Sequence, residues 1–142
     1  MKNDKIKILI LNFNGLKFIK ECLDSVFKID YPNFSVTVID NSSTDDSINF
    51  IKSNYPDAKI VLTDKNRFFS GGYNYYFDRF RDDCYYLLLN NDTIVTKNLL
   101  KNFILGRNQF GQRNIYGSTI NYEENRELIW YGGAEVKLGK GI

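Results

Sequence analysis

The residues best suited to chemistry stand in three short polar clusters, each closing an apolar run: Asn12-Phe13-Asn14, Asp40-Asn41-Ser42-Ser43 and Asn90-Asn91-Asp92. An acid at the carboxyl end of a strand has two useful roles. It can accept hydrogen bonds from a base N–H or a ribose hydroxyl, the use expected of Asp40. It can also hold a hard divalent cation that grips a diphosphate, the use expected of Asp92. Taken singly, each acid is equally well explained by turn or cap chemistry. Their weight comes from position, because the carboxyl ends of parallel strands face one ligand crevice in an open α/β sheet. A fourth feature, Ser70-Gly71-Gly72, precedes an expected helix and suits close backbone approach to a ligand or a tight turn. Lys65 and Arg67 could counter phosphate charge, although a solvated surface role is the commoner one for each.

The elements that must carry these clusters follow from period and punctuation. Ile6–Leu11 and Phe34–Ile39 read as strands, as do Lys59–Thr63 and Tyr85–Leu89, the last fit for burial on both faces. Leu16, Ile19, Leu23, Val26 and Phe27 recur at helical spacing to about Lys28. The cluster Asn41-Ser42-Ser43-Thr44-Asp45-Asp46-Ser47 is rich in helix-starting residues and opens a second helix to Asn54. A loop from Asp64 to Gly72 is expected to feed a helix over Tyr73–Arg81, and another helix spans about Lys97–Asn108. Arg113–Asn121 and Glu127–Leu138 look like strands, the second a pair joined around Tyr131-Gly132-Gly133. Strands alternating with helices predict a mostly parallel, Rossmann-like α/β sheet with a hairpin-like C-terminal segment.

Composition narrows the chemistry further. A length of 142 residues suits one domain burying roughly 70% of its unfolded surface. The net charge of +2 gives no argument for nucleic acid. The chain has no His, which removes the commonest general base and every Ser-His or Cys-His arrangement. Any metal must then be an oxygen-ligated cation such as Mg²⁺ or Mn²⁺. Cys22 and Cys84, in an expected helix and strand, read as two buried free thiols of a reducing compartment. The apolar run after the charged start covers only Ile8–Leu11, and nothing approaches the ~18 apolar residues of a membrane span. A cytoplasmic location is expected, with peripheral association on the inner face of the membrane left open.

Ile8-Leu9-Ile10-Leu11-Asn12-Phe13-Asn14-Gly15, Val38-Ile39-Asp40-Asn41-Ser42-Ser43-Thr44-Asp45, Asn66 with Ser70-Gly71-Gly72-Tyr73-Asn74, and Leu87-Leu88-Leu89-Asn90-Asn91-Asp92-Thr93 resemble, in order, the segments of family 2 glycosyltransferases. Trp130-Tyr131-Gly132-Gly133 is similar to a later segment of the rhamnosyltransferase-like branch. The resemblance implies the GT-A fold and inverting transfer of a sugar from a nucleoside-diphosphate sugar (UDP, TDP or GDP) to a glycan or lipid-linked acceptor, as in polysaccharide biosynthesis. Asn12 and Asn14 would border the nucleoside and Asp40 would bond its base or ribose. Ser42, Asn66, Gly71, Gly72, Asn74 and Asn91 would complete the donor pocket. Asp92 matches the last acid of the family's metal motif, and Asn90 stands where its first acid would be. Phe68 and Tyr76 occupy positions where the family often has small glycines. The catalytic base of the family lies in a later, acceptor-binding half. Glu123, Glu124, Glu127 and Glu135 are the later acids here, none in a matching motif, so no base is named. The chain is expected to be one nucleotide-sugar-binding domain over residues 1–142, the donor half of a longer enzyme, with an unpaired terminal strand edge open to homodimer formation.

Two other classes compete. A sugar nucleotidyltransferase would want a glycine-rich basic loop after the first strand, and Asn12-Phe13-Asn14-Gly15-Leu16-Lys17 is not one. No dinucleotide fingerprint or Gly-Lys-Ser/Thr phosphate loop occurs either. A non-catalytic nucleotide-sugar-binding fragment is the second, motivated by the missing base and the single acid.

Overall fold

The computed structural model describes residues 4–111 and 114–133. Its elements alternate as the periodicities require: β1 (Ile6–Asn12), α1 (Leu16–Val26), β2 (Phe34–Asp40), α2 (Ser47–Asn54), β3 (Lys59–Leu62), α3 (Phe68–Phe77), β4 (Tyr85–Asn90) and α4 (Leu99–Phe110). Strands β1 to β4 form a sheet of order β3-β2-β1-β4 in which every neighbouring pair is parallel. The middle strands hold the core. Ile8, Leu9, Ile10, Val38 and Ile39 have no exposed surface. Helix α1 supplies Ile19, Cys22, Leu23 and Val26, spaced to fall on one stripe. Across the sheet, Tyr73 and Tyr76 of α3 pack against Leu9, Ile39 and Val61. Burial of these aliphatic and aromatic side chains, each contributing about 1.5–3 kcal/mol, is what sets the register of the strands.

A second, antiparallel pair follows, β5 (Ile120–Asn121) with β6 (Ile129–Tyr131). The chain divides into two compact units, Met1–Lys101 and Asn102–Ile142. None of the described helices is long and apolar enough to cross a membrane.

Several expectations are corrected. Strand β4 is an edge strand among the described residues, so it is not buried on both faces: Leu89 is buried while Leu88 is 47% exposed. Helix α3 begins at Phe68 rather than Tyr73, which puts Ser70-Gly71-Gly72 inside the helix instead of in a loop. Neighbouring side chains supply the early start, with Asn41 Oδ1 accepting the Arg67 N–H and Asn66 Oδ1 accepting the Phe68 N–H. Cys22 is buried as expected, whereas Cys84 is half-buried and precedes β4. Helix α4 is shifted from Lys97–Asn108 to Leu99–Phe110. The turn joining β5 and β6 lies between Asn121 and Ile129, while the second arm of the pair expected to turn around Tyr131-Gly132-Gly133 lies outside the described residues. Arg113 and residues 134–138 of the two expected tail strands lie outside the described residues.

Candidate functional site

Register builds the site. Asn12 lies opposite Asp40, and Leu11 opposite Asn90, so the polar ends of β1, β2 and β4 stand side by side. Asn12 has no exposed surface, and its amide is spent inside the protein. Its Nδ2 has Asp40 Oδ1 at 3.0 Å, Ser47 Oγ at 3.0 Å and Ser43 Oγ at 3.2 Å as acceptors. Its Oδ1 accepts the Asn91 side-chain amide at 2.8 Å. One buried side chain therefore ties the β4 turn to the β2 loop. Gly15 makes that possible: a Cβ there would fall 2.0 Å from Asn91 Nδ2 and 2.2 Å from Asn12 Oδ1.

Asp40 is 3% exposed and well supplied with donors. Ser43 gives it an O–H bond of 2.5 Å to Oδ1 and an N–H bond of 3.0 Å to Oδ2. With Asn12 on Oδ1 as well, the carboxylate keeps acceptor capacity on Oδ2 for one more donor. The loop after β2 folds back on the loop after β1. Asn14 donates its N–H to Ser43 Oγ at 2.9 Å and accepts the Thr44 N–H on Oδ1 at 2.8 Å. Asp45 Oδ2 accepts the Leu16 N–H at 2.9 Å, so the second loop caps the helix that follows the first. Burial works against the charge on Asp45. The Ser47 hydroxyl and the Leu16 and Ser47 amides outweigh it and hold the carboxyl below its ordinary value.

A second network starts at Asn41, which is 2% exposed. Its Nδ2 donates to Asn66 Oδ1 at 2.9 Å and to the Phe68 carbonyl at 3.1 Å, and its Oδ1 accepts the Arg67 N–H at 2.8 Å. The Arg67 guanidinium bonds Asp64 and lies 4.8 Å from the Tyr75 ring centroid. It is already engaged, which argues against the phosphate role considered for it. Lys65 is exposed.

The end of β4 is pinned from below. The Tyr73 hydroxyl donates to the Leu89 carbonyl at 3.0 Å, and the Asn90 carbonyl accepts from Thr93 Oγ1 at 2.6 Å and from the Cys22 thiol at 3.6 Å. Burial pushes that thiol up to about 12, so it stays protonated. Asp92 follows Asn91 directly; it is exposed and makes no hydrogen bond or ion pair among the described residues. No cluster of three metal-ligating side chains occurs among them. One free carboxylate fits Mg²⁺ or Mn²⁺ only in the manner in which these ions keep water and substrate phosphate as their other ligands.

The remaining candidates scatter. Asn66 joins the network of Asn41, and Ser42, half-buried, adopts a left-handed φ of 66° between Asn41 and Ser43. Gly71 and Asn74 lie on α3, half-buried and exposed respectively. Gly72 is buried and serves packing, since a Cβ would sit 2.4 Å from Leu11 Cδ1. Tyr76 is fully buried in the core cluster. The sequence sets Asn41 and Ser43 in one of the polar clusters, but their part in holding the loops together, like that of Asp45 and Ser47, is not foreseen there. The signal was there in the dense Ser/Asp run after β2, which reads equally well as capping chemistry.

Comparison with known proteins places this architecture. The profile described as Glycosyl transferase family 2 matches residues 7–139. A curated relative from Methanococcus voltae, dolichyl N-acetyl-α-D-glucosaminyl phosphate 3-β-D-2,3-diacetamido-2,3-dideoxy-β-D-glucuronosyltransferase, is 35% identical over 69 residues, 44% of this chain and 22% of the relative. S. aureus TarS 1–349, also solved with UDP and with UDP-GlcNAc, superposes with a TM-score of 0.64 at 24% identity, over 74% of this chain and 31–32% of the 1–349 chain. The mannosyltransferase PcManGT from Pyrobaculum calidifontis, solved with GDP-Man and Mn²⁺, gives 0.64 at 20% identity, over 73% of this chain and 32% of its own. The chain thus spans a third or less of the length of these relatives. Its parallel four-stranded sheet flanked by helices is the GT-A arrangement of those enzymes. By a profile match over most of its length, the chain belongs to glycosyl transferase family 2.

Proposed function

We propose that the chain is the donor-binding part of a glycosyltransferase that takes a nucleoside-diphosphate sugar at the carboxyl edge of β1, β2 and β4. The observation that carries the reading is the buried Asn12 amide, which locks the Asp40 loop and the Asn91-Asp92 turn into one arrangement. Asp40 uses its remaining acceptor capacity on a donor of the base or ribose. Asn14, Ser42 and Asn66 shape the loops around the nucleoside, while Asn12 and Asn91 act as positioning residues beneath it. Gly71 and Asn74 border the sugar from α3. Asp92 is the residue that would hold Mg²⁺ or Mn²⁺ together with the diphosphate. A bound ion of this kind supplies Lewis-acid stabilisation of the charge growing on the leaving diphosphate. Fixed loops matter here because catalytic charge stabilisation depends on groups already in place.

In this reading, transfer inverts the anomeric centre and the donor is of the kind used by the rhamnosyltransferase-like branch, with UDP, TDP or GDP as carrier. The acceptor is a glycan or a lipid-linked sugar; the latter is supported by the name of the Methanococcus voltae relative. The lone Asp92 also favours a second reading, a fragment that binds the donor without turning it over.

A thermal-shift titration with UDP, TDP and GDP tests the proposal. At least one diphosphate is expected to raise Tm in the presence of Mn²⁺, by the mass-action stabilisation of a folded-state ligand. EDTA and Asp92→Ala are expected to remove most of that rise. Sugar release from the matching donor separates the catalytic from the non-catalytic reading. No shift with any of the three diphosphates defeats both.

A further inference from the structure

We infer that Phe68 provides the aromatic face on which the nucleobase of the donor stacks; the inference rests on the donor-site reading above and adds a specificity residue to it. Phe68 has a φ of 57°, in the left-handed region. Among the described residues, the other non-glycine residues there are Asn14 and Ser42, both small and polar, and Asn is a type that tolerates the region. A bulky aromatic residue in this conformation is a genuine outlier, and such outliers persist only when their surroundings over-determine them. Here they do. The Phe68 N–H is fixed by Asn66 Oδ1 at 2.8 Å, its carbonyl by Asn41 Nδ2 at 3.1 Å, and the preceding N–H by Asn41 Oδ1 at 2.8 Å.

The side chain gives the fold nothing in return. It is 81% exposed, and no ring or cation lies against it among the described residues. Its neighbour Phe69, by contrast, packs edge-on to Tyr73 with centroids 5.3 Å apart. Glycine would satisfy the backbone without strain and without exposing a phenyl ring. A strained, exposed phenyl held by a buried amide is therefore kept for something outside the core. Its place in the chain of contacts says what. Asn41, which anchors it, follows Asp40 directly and donates its own N–H to the Asn12 carbonyl at 2.7 Å. Phe68 is thus held by the residue that follows, in the chain, the acid assigned to the nucleoside. Every base offers a π-face, and stacking on an aromatic side chain is a strong, geometry-tolerant contact.

Calorimetric titration of the chain with UDP, TDP and GDP, each with Mn²⁺, tests this in wild type, Phe68→Gly and Phe68→Tyr. The expected result is a loss of affinity of roughly tenfold in Phe68→Gly for the best-binding nucleoside diphosphate, with Phe68→Tyr close to wild type. Phe68→Gly is also expected to hold or raise Tm, because it relieves the left-handed φ. Unchanged affinity in Phe68→Gly overturns the stacking role while leaving the donor site intact. A lowered Tm overturns it too, by showing a structural role. If wild type binds none of the three, the donor reading and this inference fall together.

Discussion

Asn12 is where a single substitution should report most. Removing its amide strands the Asn91 side-chain N–H and strips Asp40 of a buried donor. Losing buried partners costs far more than one ordinary hydrogen bond is worth. Asn12→Ala is therefore expected to destabilise the chain by about 3 kcal/mol in urea unfolding. Gly15→Ala attacks the same pair sterically, since its Cβ would collide with both amides. A loss of about 1–3 kcal/mol is expected, with neither loop able to yield cheaply. Asp45 gives a pH signature. Its folded carboxyl titrates below its unfolded one, so its contribution is present above the unfolded value and is lost as pH falls through the folded one. The stability of Asp45→Asn is expected to fall less than that of wild type as the solution is acidified below about pH 4, checked by urea midpoints across that range.

Among the elements, α3 and β4 carry the lesson about what sequence conveys. The four parallel strands and the helices between them were legible because apolar runs and helical periods are local signals. Strand-end position brings candidates together: Asp40 and Asn91, both in polar clusters of the sequence, are joined in the structure through Asn12. The start of α3 was not legible, since side chains from Asn41 and Asn66, distant or outside the helical period, cap it. Gly72 looked like a ligand-approach glycine because the sequence does not say that Leu11 lies against it. Similarly, Tyr85–Leu89 is apolar enough for a central strand, and only its place at the edge exposes Leu88. Tyr73 is the bond between the two elements. Tyr73→Phe leaves the Leu89 carbonyl without its buried donor and is expected to cost about 1 kcal/mol, measured by the shift in urea midpoint.

At the scale of the molecule, burial is unevenly shared between the units. Strands β1 and β2 are almost wholly enclosed, while Ile115, Leu128, Ile129 and Trp130 of the second unit are largely exposed. Amide hydrogen exchange is expected to be slowest in β1 and β2 and fast across residues 114–133, because protection follows buried contacts.

The proposed function requires the loops ending β1, β2 and β4, with the start of α3, to form one nucleotide-binding edge. The most direct test is a ¹H–¹⁵N spectrum of the chain titrated with UDP, TDP or GDP and Mg²⁺. Shifts are expected to concentrate at Asn14, Ser43, Thr44, Arg67, Phe68 and Asp92, with Ala58 and Cys84 unmoved. Shifts centred on Ala58 and Cys84, or none with any of the three nucleotides, would contradict it.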